Sequence, residues 1–212
     1  MPPPQPAARS PRLLTARAPR SPKGVVLVLH GGANRTSDPM VSPTQLSVIR
    51  MIPVASRIAR AGQGGLAVFR LLNSHRGWDT LHTPVMDVTW ALAQVRERYG
   101  DGVPICLVGH SLGGRAALLA GGAPAVRGVV ALNPWVYPHD NADLRDRRVL
   151  IVHGTDDRIA PLAHAKTVAE RLAATAEVRL VTVDGGKHAM LRHGGEFERA
   201  ASDFVVETLL GP

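Results

Sequence analysis

Ser111 is the residue whose surroundings most clearly suggest chemistry, because it stands between a β-type run and a helical run. Apolar residues 105–108 stop at GHSLG (109–113), and an Ala/Leu-rich run follows at 116–120. This order of strand, turn and helix is typical of the G-x-S-x-G nucleophile elbow. So tight a turn predicts a positive φ at Ser111, and Gly109 and Gly113 predict close contact between strand and helix. A structural turn whose serine caps the helix is the alternative.

A serine hydroxyl needs a base to remove its proton and an acid to orient that base. We expect these groups just past later strands. The run at 148–152 is followed by HGTDDRIAP, which contains Asp156 and Asp157, and the run at 177–183 is followed by DGGKH, which ends at His188. The order serine, aspartate, histidine is the one found in α/β-hydrolases.

The chain resembles the α/β-hydrolase fold family over about residues 12–210, in particular its small lidless members similar to dienelactone hydrolases and esterases. The resemblance is carried by HGG at 30–32, GHSLGG at 109–114, HGTDDRIAP at 153–161 and GGKHA at 185–189. It implies a serine hydrolase that cleaves small to medium carboxylic esters, and thioesters as a further candidate, through a Ser-His-Asp triad and an acyl-enzyme.

The resemblance also implies which residues act. In the family pattern G-T-x-D-x-x-[VI]-P the acid takes the fourth position, which is Asp157. Ala160 stands where the family often has Val or Ile, so Asp156 remains the alternative. The family's histidine lies in a Gly-rich turn after the last strand, which favours His188 over His193.

Two backbone N–H groups are expected to hold the oxyanion. Leu112, the residue after the nucleophile, supplies one. Resemblance to H-G-G loops assigns the other to Gly32 or Ala33, with a preference for Gly32. Trp78 and Trp135 are the predicted substrate-binding residues, and anchoring of a loop on the core is the alternative for each.

Strands that alternate with helices must bring these residues together. They predict a single-domain α/β fold, with a mostly parallel sheet of about seven strands and helices on both faces. Residues 1–11 are a predicted disordered Pro/Arg-rich tail, and 12–212 form the α/β-hydrolase domain. The predicted strands are 12–17, 25–29, 66–71, 105–108, 126–132, 148–152 and 177–183, and the predicted helices are 45–61 with a kink at Pro53, 84–99, 116–120, 162–173 and 196–210.

The loops predict an open site. Family lids are inserted between the strand after the elbow helix and the next strand. Here only residues 133–147 separate those strands, which predicts no or minimal cap. The loops 31–44, 73–83 and 133–147 are expected to line the site.

Composition narrows the possible partners. The net charge is +8, but the first 24 residues contain five basic and no acidic residues. This indicates a solvated basic tail and no nucleic-acid surface. No apolar run approaches the ~20 residues that cross a bilayer, and no secretory signal is visible. Cys106 is the single cysteine, which excludes an internal disulfide and favours the cytoplasm.

The expected partner is a small-molecule ester, and the oligomeric state stays open. No H-E-x-x-H, C-x-x-C or G-x-G-x-x-G motif occurs in its required context, so no metal or organic cofactor is expected. An acyltransferase or small peptidase with the same triad is the alternative activity. A non-catalytic binding module on a hydrolase scaffold is the alternative of another class.

Overall fold

The sheet that carries the candidate residues is formed by β1 (Arg12–Arg17), β2 (Gly24–Leu29), β3 (Leu66–Leu72), β4 (Ile105–His110), β5 (Val126–Leu132), β6 (Arg148–Gly154) and β7 (Glu177–Val183). The computed structural model describes residues 10–32 and 41–211. Within these ranges the strand order is β1-β3-β2-β4-β5-β6-β7. Edge strand β1 pairs with β3 in antiparallel fashion, and the other pairs are parallel. The predicted seven-stranded, mostly parallel sheet is confirmed.

Helices cover both faces of this sheet. Alternation along β2 shows the two cores, because Val25, Leu27 and Leu29 belong to one core and Val26 and Val28 to the other. Burial on both faces explains why this strand is a continuous apolar run in the sequence. The helices of the described residues are α1 (Leu46–Ile49), α2 (Met51–Ala61), α3 (Thr83–Tyr99), α4 (Leu112–Ala120), α5 (Leu162–Leu172) and α6 (Gly194–Leu210). The first core includes residues of α3, α4 and α5, and the second includes residues of α2 and α6.

Pro53 divides the first helical segment differently from the prediction. The sequence predicts one helix over 45–61 with a kink at Pro53, but α1 ends at Ile49 and α2 begins at Met51. Pro53 has no N–H to donate to the carbonyl of Ile49, four residues earlier. In the first turn of α2 that missing donor costs nothing, since first-turn N–H groups lack partners within their helix. The predicted position of the kink is therefore wrong, and the break falls at Arg50.

The carboxyl ends of the parallel strands meet at one edge of the sheet. Strands β2 and β4 are neighbours, whereas β3 lies on the far side of β2. The strand order therefore reverses between β2 and β4, and open α/β sheets bind ligands at this kind of switch point. Residues 133–147, between β5 and β6, contain no helix. As predicted, no helical cap is inserted there.

Cys106 lies inside β4, and its side chain is fully buried. Burial raises the pKa of its thiol far above the ordinary value. The residue therefore acts as a small apolar side chain of the core.

The predicted tail lies almost entirely outside the described residues, which begin at Ser10. Ser10 and Pro11 precede β1 without regular structure. Across the ranges 10–32 and 41–211, no helix has both the length and the apolar character needed to cross a membrane.

Candidate active site

Ser111 occupies a strained turn between β4 and α4. Its φ is 56° and its ψ is −120°, so the predicted positive φ is confirmed. A Cβ on Gly109 would lie 2.1 Å from the carbonyl oxygen of Gly113, and a Cβ on Gly113 would lie 2.5 Å from that of His30. Only glycine fits at either position, because strand, helix and the end of β2 approach so closely. This contact presents the Ser111 side chain at the carboxyl edge of the sheet.

His188 lies in the turn after β7 and contacts both other candidates. Its Nδ1 lies 2.8 Å from Oδ2 of Asp157, and its Nε2 lies 2.9 Å from Oγ of Ser111. A carboxylate can only accept hydrogen bonds, so Nδ1–H of His188 donates to Asp157. The unprotonated Nε2 then accepts a hydrogen bond from the hydroxyl of Ser111. The arrangement can therefore move a proton from the serine to the imidazole.

Asp157 follows β6 and is held on both carboxylate oxygens. Its side chain is fully buried, and Oδ1 accepts N–H groups of Ile159 at 2.8 Å and Ala160 at 2.9 Å. Burial opposes ionisation, but the hydrogen bonds from His188 and from these two N–H groups outweigh it and lower the pKa of Asp157. The carboxylate is therefore ionised at neutral pH.

The two alternatives left open by the sequence lie elsewhere. Asp156 is exposed, and its backbone N–H donates to the carbonyl of Gly186. His193 stands at the start of α6, where Nδ1 lies 3.1 Å from Oε1 of Glu196. The structure thus brings Asp157 and His188 to Ser111, and neither Asp156 nor His193 among them.

Asn133 is a positioning residue that no sequence motif indicates. It follows β5, is completely buried and has a φ of 42°. Its Nδ2 donates to the carbonyls of Lys187 and His188 at 3.1 and 3.3 Å, and its Oδ1 accepts the N–H of Gly154 at 2.8 Å. One amide side chain therefore joins the histidine turn to the end of the strand that precedes the acid loop.

Three buried histidines orient the surrounding loops. His30 Nδ1–H donates to the carbonyl of Gly31, His153 Nε2–H to that of Ala160, and His110 Nε2–H to that of His188. Burial lowers the pKa of all three, that of His110 to about 3. All three are therefore neutral at pH 7.

The two predicted oxyanion donors lie against the same cavity as Ser111. Leu112 is the first residue of α4, where backbone N–H groups lack partners within the helix. A Cβ on Gly32 would lie 1.9 Å from the carbonyl oxygen of Arg76 and 3.4 Å from Cδ1 of Leu112. Only glycine fits against the Arg76 carbonyl at this position. Ala33, the other candidate, lies outside the described residues.

A cavity of about 210 Å³ opens beside Ser111 and His188. Trp135 lines it, and its contact with substrate stays a prediction. Ser47 and Arg50, which no sequence motif indicates, also line it because the break between α1 and α2 lies at its wall.

Trp78 is not among the described residues that line this cavity. Its indole ring packs 4.2 Å from the guanidinium of Arg115. Arg115 is buried on α4 and forms a bidentate pair with Asp140, at 2.7 and 2.6 Å. Asp140 also accepts the N–H of Tyr137, so this pair fastens the loop 133–147 to the elbow helix. Trp78 is placed as a loop anchor, and the prediction that it contacts substrate is not supported by its position.

Among residues 10–32 and 41–211, no three His, Cys, Asp or Glu side chains are grouped so that they could hold a metal ion.

The fold and this arrangement define the class of the protein. A parallel sheet with a strained serine at the end of a central strand, a histidine after the last strand and an aspartate between them is typical of α/β-hydrolases. The sequence model of the Alpha/beta hydrolase family matches residues 89–202, which is more than half of the chain. The chain belongs to this family.

Solved structures share the fold at low sequence identity. Est1E from Butyrivibrio proteoclasticus with ferulic acid bound has a TM-score of 0.67 and 16% identity, over 94% of this chain and 96% of that one. Esterase Est2 from Thermogutta terrifontis has a TM-score of 0.68 and 16% identity, over 93% and 87%. Esterase Pf2001 from Pyrococcus furiosus has a TM-score of 0.70 and 14% identity, over 90% and 83%. A comparison with curated proteins gives no match.

Proposed function

We propose that the protein hydrolyses small carboxylic esters, with Ser111 as nucleophile, His188 as base and Asp157 as the acid that orients it. The observation that carries this proposal is the continuous hydrogen-bond chain from Asp157 through His188 to Ser111, at 2.8 and 2.9 Å. Such a chain lets the histidine take the serine proton while the carboxylate stabilises the imidazolium.

The proposed reaction has two steps. Ser111 Oγ bonds to the ester carbonyl carbon as His188 Nε2 takes its proton, and the tetrahedral oxyanion accepts the N–H groups of Leu112 and Gly32. Its collapse breaks the bond to the alcohol oxygen, which receives the proton from His188. Water then attacks the acyl carbon as His188 takes its proton. The bond to Ser111 Oγ breaks, Oγ takes the proton back from His188, and the acid is released.

The cavity supports small substrates. Its volume of about 210 Å³ is below the range of about 300–1,000 Å³ that is usual for drug-sized ligands. Trp135 supplies an aromatic wall for the acyl or alcohol group. Thioesters of similar size are further candidates. A single buried cysteine supports a reducing compartment, the cytoplasm, as the location.

A fluorophosphonate probe and p-nitrophenyl esters of rising chain length test this proposal. The wild type is expected to be labelled at Ser111 and to prefer acetate and butyrate over octanoate. Ser111→Ala is expected to lose labelling and about 10⁴-fold or more of kcat. Ser56→Ala, which removes a hydroxyl from α2 away from the cavity, serves as the matched control. An unlabelled wild type without esterase activity would refute the proposal.

A further inference from the structure

Arg50 places a cation at the wall of the candidate active site. It stands at the break between α1 and α2, and it lines the cavity together with Ser111, His188 and Trp135. Its charge contributes to the lowered pKa of His110, after burial and the charge of His188. The field of Arg50 therefore reaches the residue next to the nucleophile.

The guanidinium of Arg50 is not compensated within the described part of the chain. Its buried Nε has no hydrogen-bond partner among residues 10–32 and 41–211. None of the ion pairs found there involves Arg50. Burial lowers the pKa of the guanidinium, which is the expected effect where no partner offsets desolvation. A partly desolvated, unpaired cation is costly to keep in a protein unless a ligand supplies the opposite charge.

No Asp or Glu side chain among the described residues lines the cavity to repel an anion. Asp157 lies behind His188, and both of its oxygens are already engaged. Arginine binds a carboxylate through two parallel hydrogen bonds from its guanidinium, and Arg50 is the arginine that lines this cavity among the described residues. The site therefore offers a hydrolytic group and a carboxylate-binding group in one small cavity.

We propose that Arg50 determines specificity by binding a carboxylate of the substrate, so that the preferred substrates are esters that carry a second, ionised carboxyl group. This inference rests on the proposed esterase function and names its substrate class. The carboxylate stays unchanged while water cleaves the ester into acid and alcohol. It can belong to the acyl part, as in a monoester of a dicarboxylic acid, or to the alcohol part.

Two pairs of esters show whether the bound carboxylate belongs to the acyl part or to the alcohol part of the substrate. Monoethyl glutarate and ethyl valerate differ by a carboxylate on the acyl chain, and 4-acetoxybenzoate and its methyl ester differ by a carboxylate on the alcohol. The readout is the ratio of kcat/KM for the anionic ester to that for its neutral partner. Loss of a hydrogen-bonded charge pair predicts that Arg50→Gln lowers this ratio about ten- to hundredfold in one of the pairs.

Two control variants separate the effect of the charge of Arg50 from the effect of its position. Arg50→Lys keeps the charge but not the two-bond edge, and is expected to retain part of the ratio. Arg60→Gln removes the same charge from the exposed end of α2 and is expected to leave both ratios unchanged. The proposal is overturned if Arg50→Gln changes anionic and neutral esters alike in both pairs.

Equilibrium binding of glutarate keeps the test independent of turnover. Calorimetry is performed on the wild type and on Arg50→Gln, and Arg50 is expected to strengthen binding about tenfold or more. If no ester is hydrolysed and the fluorophosphonate probe fails, the esterase function is wrong. The carboxylate site then stands only if glutarate binding depends on Arg50, and falls if it does not.

Discussion

Replacement of Asp157 by asparagine is expected to move the ring proton of His188 from Nδ1 to Nε2. Oδ1 of Asp157 accepts two backbone N–H groups, from Ile159 and Ala160. In the variant the amide oxygen must take that place, which leaves the NH₂ group where Oδ2 faces His188 Nδ1 at 2.8 Å. Two donors cannot face each other, so His188 adopts the tautomer with its proton on Nε2. That proton points at Ser111 and prevents the histidine from acting as base.

The size of the effect follows from this loss of function. An enzyme whose triad histidine is held in the wrong tautomer loses about 10⁴-fold in kcat. At 1.36 kcal/mol per factor of ten, this corresponds to about 5 kcal/mol of lost transition-state stabilisation. The cost in folding is far smaller, since the amide oxygen keeps both backbone hydrogen bonds and no cavity is created.

Steady-state hydrolysis of p-nitrophenyl acetate measures the effect, and urea unfolding shows whether the variant is folded. Asp156→Asn is the matched control, because the neighbouring side chain is exposed. We expect its kcat to stay within about twofold of wild type. A folded Asp157→Asn protein that keeps more than a tenth of wild-type kcat would refute the tautomer argument and the assignment of Asp157.

Two further predictions concern the residues that hold His188. Asn133→Ala removes the acceptor of the Gly154 N–H and one of the donors to the carbonyls of Lys187 and His188, and it places alanine at a φ of 42°. It is expected to cost about 2–4 kcal/mol in urea unfolding and to lower kcat more than it changes KM. Unchanged kcat in a folded variant would contradict the positioning role. Burial lowers the pKa of His110 to about 3, so the unfolded chain binds a proton below about pH 6.5 that the folded chain does not. Stability is then lost as the pH falls, by about 1.4 kcal/mol per unit. His110→Gln, which can still donate to the His188 carbonyl, should lose about 2 kcal/mol less than wild type between pH 7 and 5; identical losses in urea unfolding would refute this.

The fold was predictable because strands that are buried on both faces are continuous apolar runs in the sequence. The strand prediction for 126–132 matches β5 from end to end, and that for 25–29 misses only Gly24. The break at Arg50 was not predictable, because the apolar spacing of 45–61 is continuous across it. The proline marks a helix boundary, but spacing alone does not say on which side of the proline the boundary falls.

The candidate site was predictable where residues occur in motifs and unpredictable where only packing decides. Ser111 and His188 stand at fixed places after strands, and the structure joins them by a hydrogen bond, although their catalytic roles stay predictions. Asn133 looks like an ordinary loop residue in the sequence. Its amide becomes informative only when three separate segments converge on it. The sequence around Arg50 is typical of an exposed helical position. The sequence also does not distinguish Trp78 from Trp135, because only the packing shows that Trp135 lines the cavity and that Trp78 contacts Arg115.

The rate at which the Cys106 thiol is alkylated reports how often the folded protein opens. Cys106 is the single thiol of the chain and lies fully buried in central strand β4. Only a thiolate reacts rapidly with alkylating reagents, and the native chain provides neither access nor ionisation at this sulfur. Alkylation must therefore await a fluctuation that exposes the middle of the sheet. Mass spectrometry of the alkylated fraction over time would thus follow the rare open population without any engineered residue.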